Sequence, residues 1–84
     1  MSAIDTGHRH PSTQQIARWF DYDHLSGSPR LVSAACAEIA GQVIEELDDS
    51  PELVAGLRKL LEAKDCFVRA AITGGTLGAS HDIR

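Results

Sequence analysis

The chain has 84 residues, a formal net charge of −4 and a hydrophobic fraction of 43%. This length is enough for one domain, and the composition is that of a globular protein, which excludes wholesale disorder. The negative charge excludes binding to long duplex nucleic acid, because phosphate contacts need a dense basic face; a small anionic ligand stays possible. With no export signal and no long apolar run in the sequence, we expect a cytoplasmic protein that does not associate with membranes.

The N-terminal part of the chain predicts an arm and then a short helix. Residues 1–11 show no periodicity and end in proline, which indicates a flexible arm. Ser12 with Gln15 three positions later is typical of a helix start and predicts a short helix over residues 13–20. An irregular aromatic and acidic strip follows over residues 21–25. Ser28 before a proline then indicates that the next helix starts there.

The first long helix is predicted over residues 29–47, where apolar residues recur every three or four positions. Alanines widen this apolar stripe to about half of the helix circumference. The stripe contains Val32, Cys36, Ile39, Val43 and Leu47. Because one partner helix cannot cover so wide an arc, we expect this helix to have a second neighbour.

The second long helix is predicted to begin at Pro51, after the N-cap Ser50, and to end near residue 72. Only a few residues connect the two long helices, so they must pack antiparallel. The predicted fold is all-α: a short N-terminal helix and a two-helix hairpin over residues 12–73, with a flexible tail over residues 74–84. Since large apolar residues are scarce, we expect a homo-oligomeric helical bundle.

Two cations interrupt the pattern of the last helix. Lys64 lies in its apolar stripe, where an unpaired ammonium is costly to bury. Either the Lys64 stem packs while its head reaches an acid such as Glu46, or the head lines a polar pocket between protomers and binds an anion. Arg69 lies where apolar packing continues, so its planar guanidinium is a candidate for contacting a base edge or a phosphate at an oligomer seam.

Aromatic residues cluster just before the first long helix, whose free N–H groups and Arg30 favour an anion. Trp19 and Phe20 are candidates for plugging the open end of the hairpin, and we expect at least one of them to do so. Tyr22 and His24 belong to the irregular strip, where flat side chains can stack on a base.

The cysteines and histidines predict neither a disulfide nor a metal site. Cys36 and Cys66 lie in separate predicted helices of a chain without an export signal, which favours reduced thiols. The four histidines show no tetrahedral spacing with each other or with the thiols. No nucleophile–base set and no glycine-rich phosphate loop is recognisable, so we expect no enzymatic activity and no cofactor.

Over residues 18–73 the sequence resembles the helical-hairpin domain shared by phage anti-CBASS and anti-Thoeris proteins, which are cyclic-nucleotide sponges. The resemblance depends on small residues and turn chemistry in four segments: Phe20-x-Tyr22-x-His24, Val32-Ser33-x-x-Cys36-Ala37-x-Ile39-Ala40, Asp49-Ser50-Pro51-Glu52 with Gly56-Leu57-Arg58-Lys59-Leu60-x-Glu62-Ala63, and Arg69-Ala70-Ala71-Ile72. Two positions depart from the family pattern. Arg69 replaces a closing asparagine, and Asp23 separates the tyrosine from the histidine.

The resemblance implies a homo-oligomer, hexameric in well-known members, that captures cyclic di- or trinucleotides at seams between protomers. Such a phage protein acts in the host cytoplasm and lowers the free concentration of an immune messenger without cleaving it. The alternative is an oligomeric helical hairpin with a structural or interaction role that docks another phage or host protein. The candidate ligand-binding residues are Phe20, Tyr22, His24, Arg30, Lys64 and Arg69.

Overall fold

A computed structural model describes residue 4 and residues 6–73 of the chain. This part contains three α-helices: α1 (Pro11–Ala17), α2 (Gly27–Glu46) and α3 (Pro51–Thr73). A 3₁₀ turn, Arg18–Phe20, continues α1 toward α2. No helix in the described part is long and apolar enough to cross a membrane. The tail predicted over residues 74–84 lies outside the described residues.

The first residue of α3 follows directly from local sequence. The Ser50 hydroxyl accepts a hydrogen bond from the Leu53 backbone N–H at 3.0 Å, as an N-cap does. Pro51 occupies the first helical position, where its missing N–H costs nothing. Glu52 in the first turn faces the positive end of the helix dipole. The predicted start of this helix is therefore confirmed.

The other two helices begin earlier than the sequence suggested. The N-cap of α1 is His10 and not Ser12, because the His10 imidazole Nδ1 accepts the Ser12 backbone N–H at 3.0 Å. The helix α2 begins at Gly27 and not at the predicted Pro29. Gly27 has a φ of 66°. Only glycine adopts this left-handed conformation without strain, so Gly27 turns the strip into the helix.

The two long helices pack antiparallel and are joined by residues 47–50, which confirms the predicted hairpin. On one side of the hairpin α1 packs against α3, while the 3₁₀ turn packs against α2. Among the described residues, Phe20 is the one fully buried aromatic residue of the core, and the partly buried Tyr22 packs against it. The buried apolar residues are Ile16, Ala17, Phe20, Cys36, Ala37, Ala40, Ile44, Leu53 and Leu57.

Several large apolar side chains stay exposed on the single chain. Ile39 of α2 is 50% exposed and Phe67 of α3 is 52% exposed. Leu31 and Ile72 are exposed even further, at 72% and 64%. Within the described residues, α2 therefore packs on α3 and the 3₁₀ turn but keeps an uncovered apolar side.

We predict that Leu57→Ala destabilises the fold by about 2–5 kcal/mol, because it removes a fully buried side chain and leaves a cavity. Leu31→Ala is the matched control, and we expect a change within about 0.5 kcal/mol, since Leu31 is 72% exposed. Urea unfolding followed by circular dichroism at equal protein concentrations measures both changes. Equal destabilisation by the two substitutions would contradict the packing described above.

Candidate functional site

The aromatic strip after the 3₁₀ turn is organised by the Arg30 guanidinium. Arg30 Nη1 donates to the Tyr22 carbonyl oxygen at 3.1 Å and to the Leu25 carbonyl oxygen at 3.3 Å. The same guanidinium lies over the Tyr22 ring, with 5.0 Å between its carbon and the ring centroid. This distance is within the range of a cation–π interaction. Arg30 therefore fixes an aromatic face beside the first turn of α2.

The electrostatics of this site combine an incompletely neutralised cation with free helix N–H groups. Arg30 Nη2 lies 3.8 Å from the Asp23 carboxylate, but 43% of the Arg30 side chain stays exposed. The Ser26 side chain makes no capping hydrogen bond to α2. The first N–H groups of this 20-residue helix are thus not satisfied by a side-chain cap and carry the positive end of its dipole.

The remaining aromatic residues divide between the core and the surface. Phe20 is completely buried, so in the single chain it presents no face to a ligand. It belongs to the buried core. Trp19 does not, because 64% of its surface is exposed. His24 is exposed within the strip.

Lys64 and Arg69 lie on α3, away from the strip along the chain. The Lys64 side chain is 12% exposed, and its ammonium lies 3.2 Å from the Asp65 carboxylate. The acid suggested by the sequence, Glu46, is the last residue of α2 at the turn of the hairpin, whereas Lys64 lies just beyond the middle of α3. Lys64 also faces Cys36: burial raises the pKa of the Cys36 thiol, and the Lys64 charge acts in the opposite direction.

Arg69 is exposed and donates to the Cys66 sulfur at 3.4 Å. Antiparallel packing brings the C-terminal half of α3 to the end of the hairpin where α2 begins, so Arg69 and Arg30 belong to the same end. Among the described residues, the two guanidinium groups share no hydrogen-bond acceptor and no carboxylate. Within one chain, the structure therefore brings together Tyr22 and Arg30 among the candidate ligand-binding residues.

A second polar cluster, which we call the Asp49 junction, was not predicted from the sequence. Asp49 lies between α2 and α3, and its carboxylate accepts hydrogen bonds from three groups. These are the Thr13 hydroxyl at 2.8 Å, the His10 backbone N–H at 3.0 Å and the Arg9 Nε at 3.2 Å. The junction consequently joins the N-terminal segment, α1 and the turn of the hairpin.

Arg9 is the cation of the Asp49 junction, and its side chain is only 10% exposed. Its Nη2 donates to the Leu47 carbonyl oxygen at 2.7 Å, and its Nη1 donates to the Ile44 carbonyl oxygen. Ile44 belongs to the last turn of α2 and Leu47 is its C-cap residue, and carbonyls at this end of a helix lack intrahelical partners. Arg9 therefore caps α2 from a position about 35 residues earlier in the chain.

The junction strongly favours the ionised carboxylate. The Thr13 hydroxyl, followed by the His10 N–H and the Arg9 guanidinium, lowers the pKa of Asp49 to about 2. In the unfolded chain an aspartate titrates near pH 3.9. Because the folded-state pKa is lower, this contribution to stability is present above about pH 4 and is lost as the pH falls toward 2.

The chain was compared with protein-family models, with curated proteins and with solved structures, and none of them matches it. In the part of the chain that the structure describes, no group of three or more histidine, cysteine or acidic side chains is placed to hold a metal ion.

We predict that Asp49→Asn lowers the melting temperature at pH 7, because the neutral amide loses the charge opposite Arg9 and cannot accept all three hydrogen bonds equally well. The difference from the wild type should shrink between pH 4 and pH 2, where the wild-type carboxylate becomes protonated. Thermal unfolding monitored by circular dichroism at several pH values measures this difference.

Asp48→Asn is the matched control, since it removes the neighbouring exposed carboxylate outside the junction. We expect little change in melting temperature for this variant. A similar loss for both variants would show that Asp49 has no special role.

Proposed function

We propose that this chain is a non-catalytic phage anti-defence sponge that sequesters cyclic oligonucleotide immune signals at interfaces between protomers. The observation that carries the proposal is the pairing of Tyr22 with Arg30 at the N-terminus of α2. It places an aromatic ring, one face of which the guanidinium covers, next to the N-terminus of α2, which no side chain caps. A nucleotide offers the complementary set: a base that stacks and a phosphate that accepts charge-assisted hydrogen bonds.

The proposed ligand site includes charged residues that belong to a neighbouring protomer. In this arrangement Tyr22 and His24 stack on the bases, while Arg30 and the first turn of α2 hold a phosphate. Lys64 or Arg69 of another copy supplies further charge. A cyclic di- or trinucleotide has several phosphates and bases, so a site divided between two chains can contact more of the ligand than one strip can. Phe20 belongs to the core against which Tyr22 packs.

The uncovered side of the hairpin supports self-association. Ile39 belongs to the helical stripe of Val32 and Val43, and Phe67 belongs to the stripe of Leu60 on α3. All five have exposed apolar surface on the single chain. Small domains without disulfides or metals commonly cover such surface by oligomerisation. A homo-oligomer, hexameric as in the proteins that the sequence resembles, is the form in which we propose that the sponge works.

A second candidate function is an oligomeric hairpin that docks another phage or host protein. The exposed Leu31 and Ile72 side chains favour this alternative, because large apolar groups left outside an assembly are typical of protein-binding surfaces. Under this alternative Arg30 is structural and holds the strip through its bonds to the Tyr22 and Leu25 carbonyls.

Isothermal titration calorimetry with cyclic di-GMP, cyclic di-AMP, cyclic GMP-AMP and cyclic tri-AMP tests the sponge. We expect at least one nucleotide to bind and to be recovered intact. We also expect Tyr22→Leu to weaken binding about tenfold, because stacking of a base on an aromatic ring contributes about 1–3 kcal/mol.

Trp19→Leu is the matched control, as it removes an exposed aromatic ring outside the strip. We expect this variant to keep wild-type affinity. If none of the four nucleotides produces heat, or if the two variants lose affinity equally, the proposed site is wrong. Conversion of the nucleotide during the titration would contradict the non-catalytic part of the proposal.

A further inference from the structure

A groove with a volume of about 900 Å³ runs along α2. One wall is the N-terminal segment, which contributes Ile4, His8 and Arg9. The floor and the other wall come from α2 between Leu31 and Glu45. At 1.5 Å per residue these positions span about 21 Å, which is the length of roughly four turns of a helix. Tyr22 closes part of one end.

The N-terminal wall is held in place by the Asp49 junction. Arg9 lines the groove, and its guanidinium bonds the carbonyls of Ile44 and Leu47 and the carboxylate of Asp49. Because nine-tenths of the Arg9 side chain is buried, the wall is anchored to the end of α2. The groove is therefore a built feature of the fold and not merely an open helix face.

The charge of the groove is acidic. Glu38 and Glu45 line it, both are exposed, and neither makes an ion pair with any described residue. Of the two basic residues in the lining, Arg9 is already paired with Asp49, which leaves His8. An occupant that supplies cations opposite the two glutamates would satisfy charges that the chain leaves unpaired.

The floor of the groove accommodates a close approach by another helix. It is lined by the small residues Ala34, Ala37 and Gly41. A Cβ atom built at Gly41 would meet no other atom within 4 Å, so the space above this position is open. The lining combines these small residues with the polar side chains of Glu38, Gln42 and Glu45. An amphipathic helix fits such a lining when its small or apolar residues lie over Gly41 and its polar residues lie along the rims.

We propose that this groove binds a basic amphipathic helix of a partner protein, with small or apolar residues facing Gly41 and lysine or arginine facing Glu38 and Glu45. A second copy of the chain fits the charges less well. It has a net charge of −4, and its own α2 carries the same glutamates. The proposal does not depend on nucleotide binding, because the residues that carry it lie along α2 and outside the Tyr22–Arg30 pair.

Selection from a phage-displayed library of 18-residue helix-forming peptides tests the proposal on the full chain. We expect enrichment of peptides with a net positive charge, and synthetic versions should bind in fluorescence anisotropy. Gly41→Leu should weaken that binding at least tenfold, because it fills the floor of the groove. Gly56→Leu is the matched control: Gly56 is also a helical glycine with open space around its Cβ position, but it lies on α3 outside the groove.

The double variant Glu38→Gln, Glu45→Gln supplies a second measurement, which should reduce both the affinity and its dependence on salt. Enrichment of acidic peptides, or equal effects of Gly41→Leu and Gly56→Leu, would overturn the proposal. So would an empty selection. If Gly41→Leu instead lowers the oligomer mass in light scattering, the occupant is a second copy, and the basic-helix proposal is wrong.

Discussion

Scarcity of large buried side chains is the constraint on which this structure depends. Phe20 and Leu57 are the largest side chains that are fully buried in the described part, and three of its buried core residues are alanines. Burial of apolar surface contributes about 25 cal/mol per Å², and the entropy lost by an ordered chain of this size is of similar total magnitude. The hairpin alone therefore has little excess stability, and polar contacts outside the apolar core help to hold its parts together.

The Asp49 junction is the most extensive of those contacts. It joins Arg9, His10 and Thr13 to the turn of the hairpin, and it satisfies carbonyls at the end of α2. By fixing where α1 begins, the junction also fixes where the 3₁₀ turn delivers Phe20 to the core. The same junction holds the N-terminal segment that forms one wall of the α2 groove, and α1 with its 3₁₀ turn leads from the junction to the strip that contains Tyr22. One carboxylate thus links the core, the candidate ligand site and the candidate docking groove.

Most of the fold could be predicted because its signals are local. The Ser50 cap, the proline after it and the apolar period fixed α3 and the antiparallel hairpin. The capping-box pattern of Ser12 and Gln15 predicts that α1 begins at residue 13, whereas the His10 imidazole caps a helix that begins at Pro11. Gly27 begins α2 two residues before the predicted start, and its left-handed conformation is not indicated by the neighbouring residues.

The candidate site was less predictable because its contacts connect distant residues. Tyr22 and Arg30 are close in sequence, and their proximity was predicted, but the bonds of Arg30 to strip carbonyls were not. Arg9 and Asp49 are 40 positions apart, and no spacing rule connects an arginine in an aperiodic segment to a turn aspartate. The sequence leaves two alternatives for Lys64, an acid such as Glu46 or an anion between protomers, and it does not indicate the ion pair that Lys64 makes with the adjacent Asp65.

We propose that a single chain leaves too much apolar surface uncovered to remain alone. Size-exclusion chromatography with multi-angle light scattering tests it most directly, since the mass of one chain is 9.0 kDa. We expect a single peak whose mass is at least twice that value, is an integer multiple of it and persists on dilution to low micromolar concentration. A mass of 9.0 kDa at every concentration tested would contradict the account, because Ile39 and Phe67 would then be stable in water on an isolated hairpin.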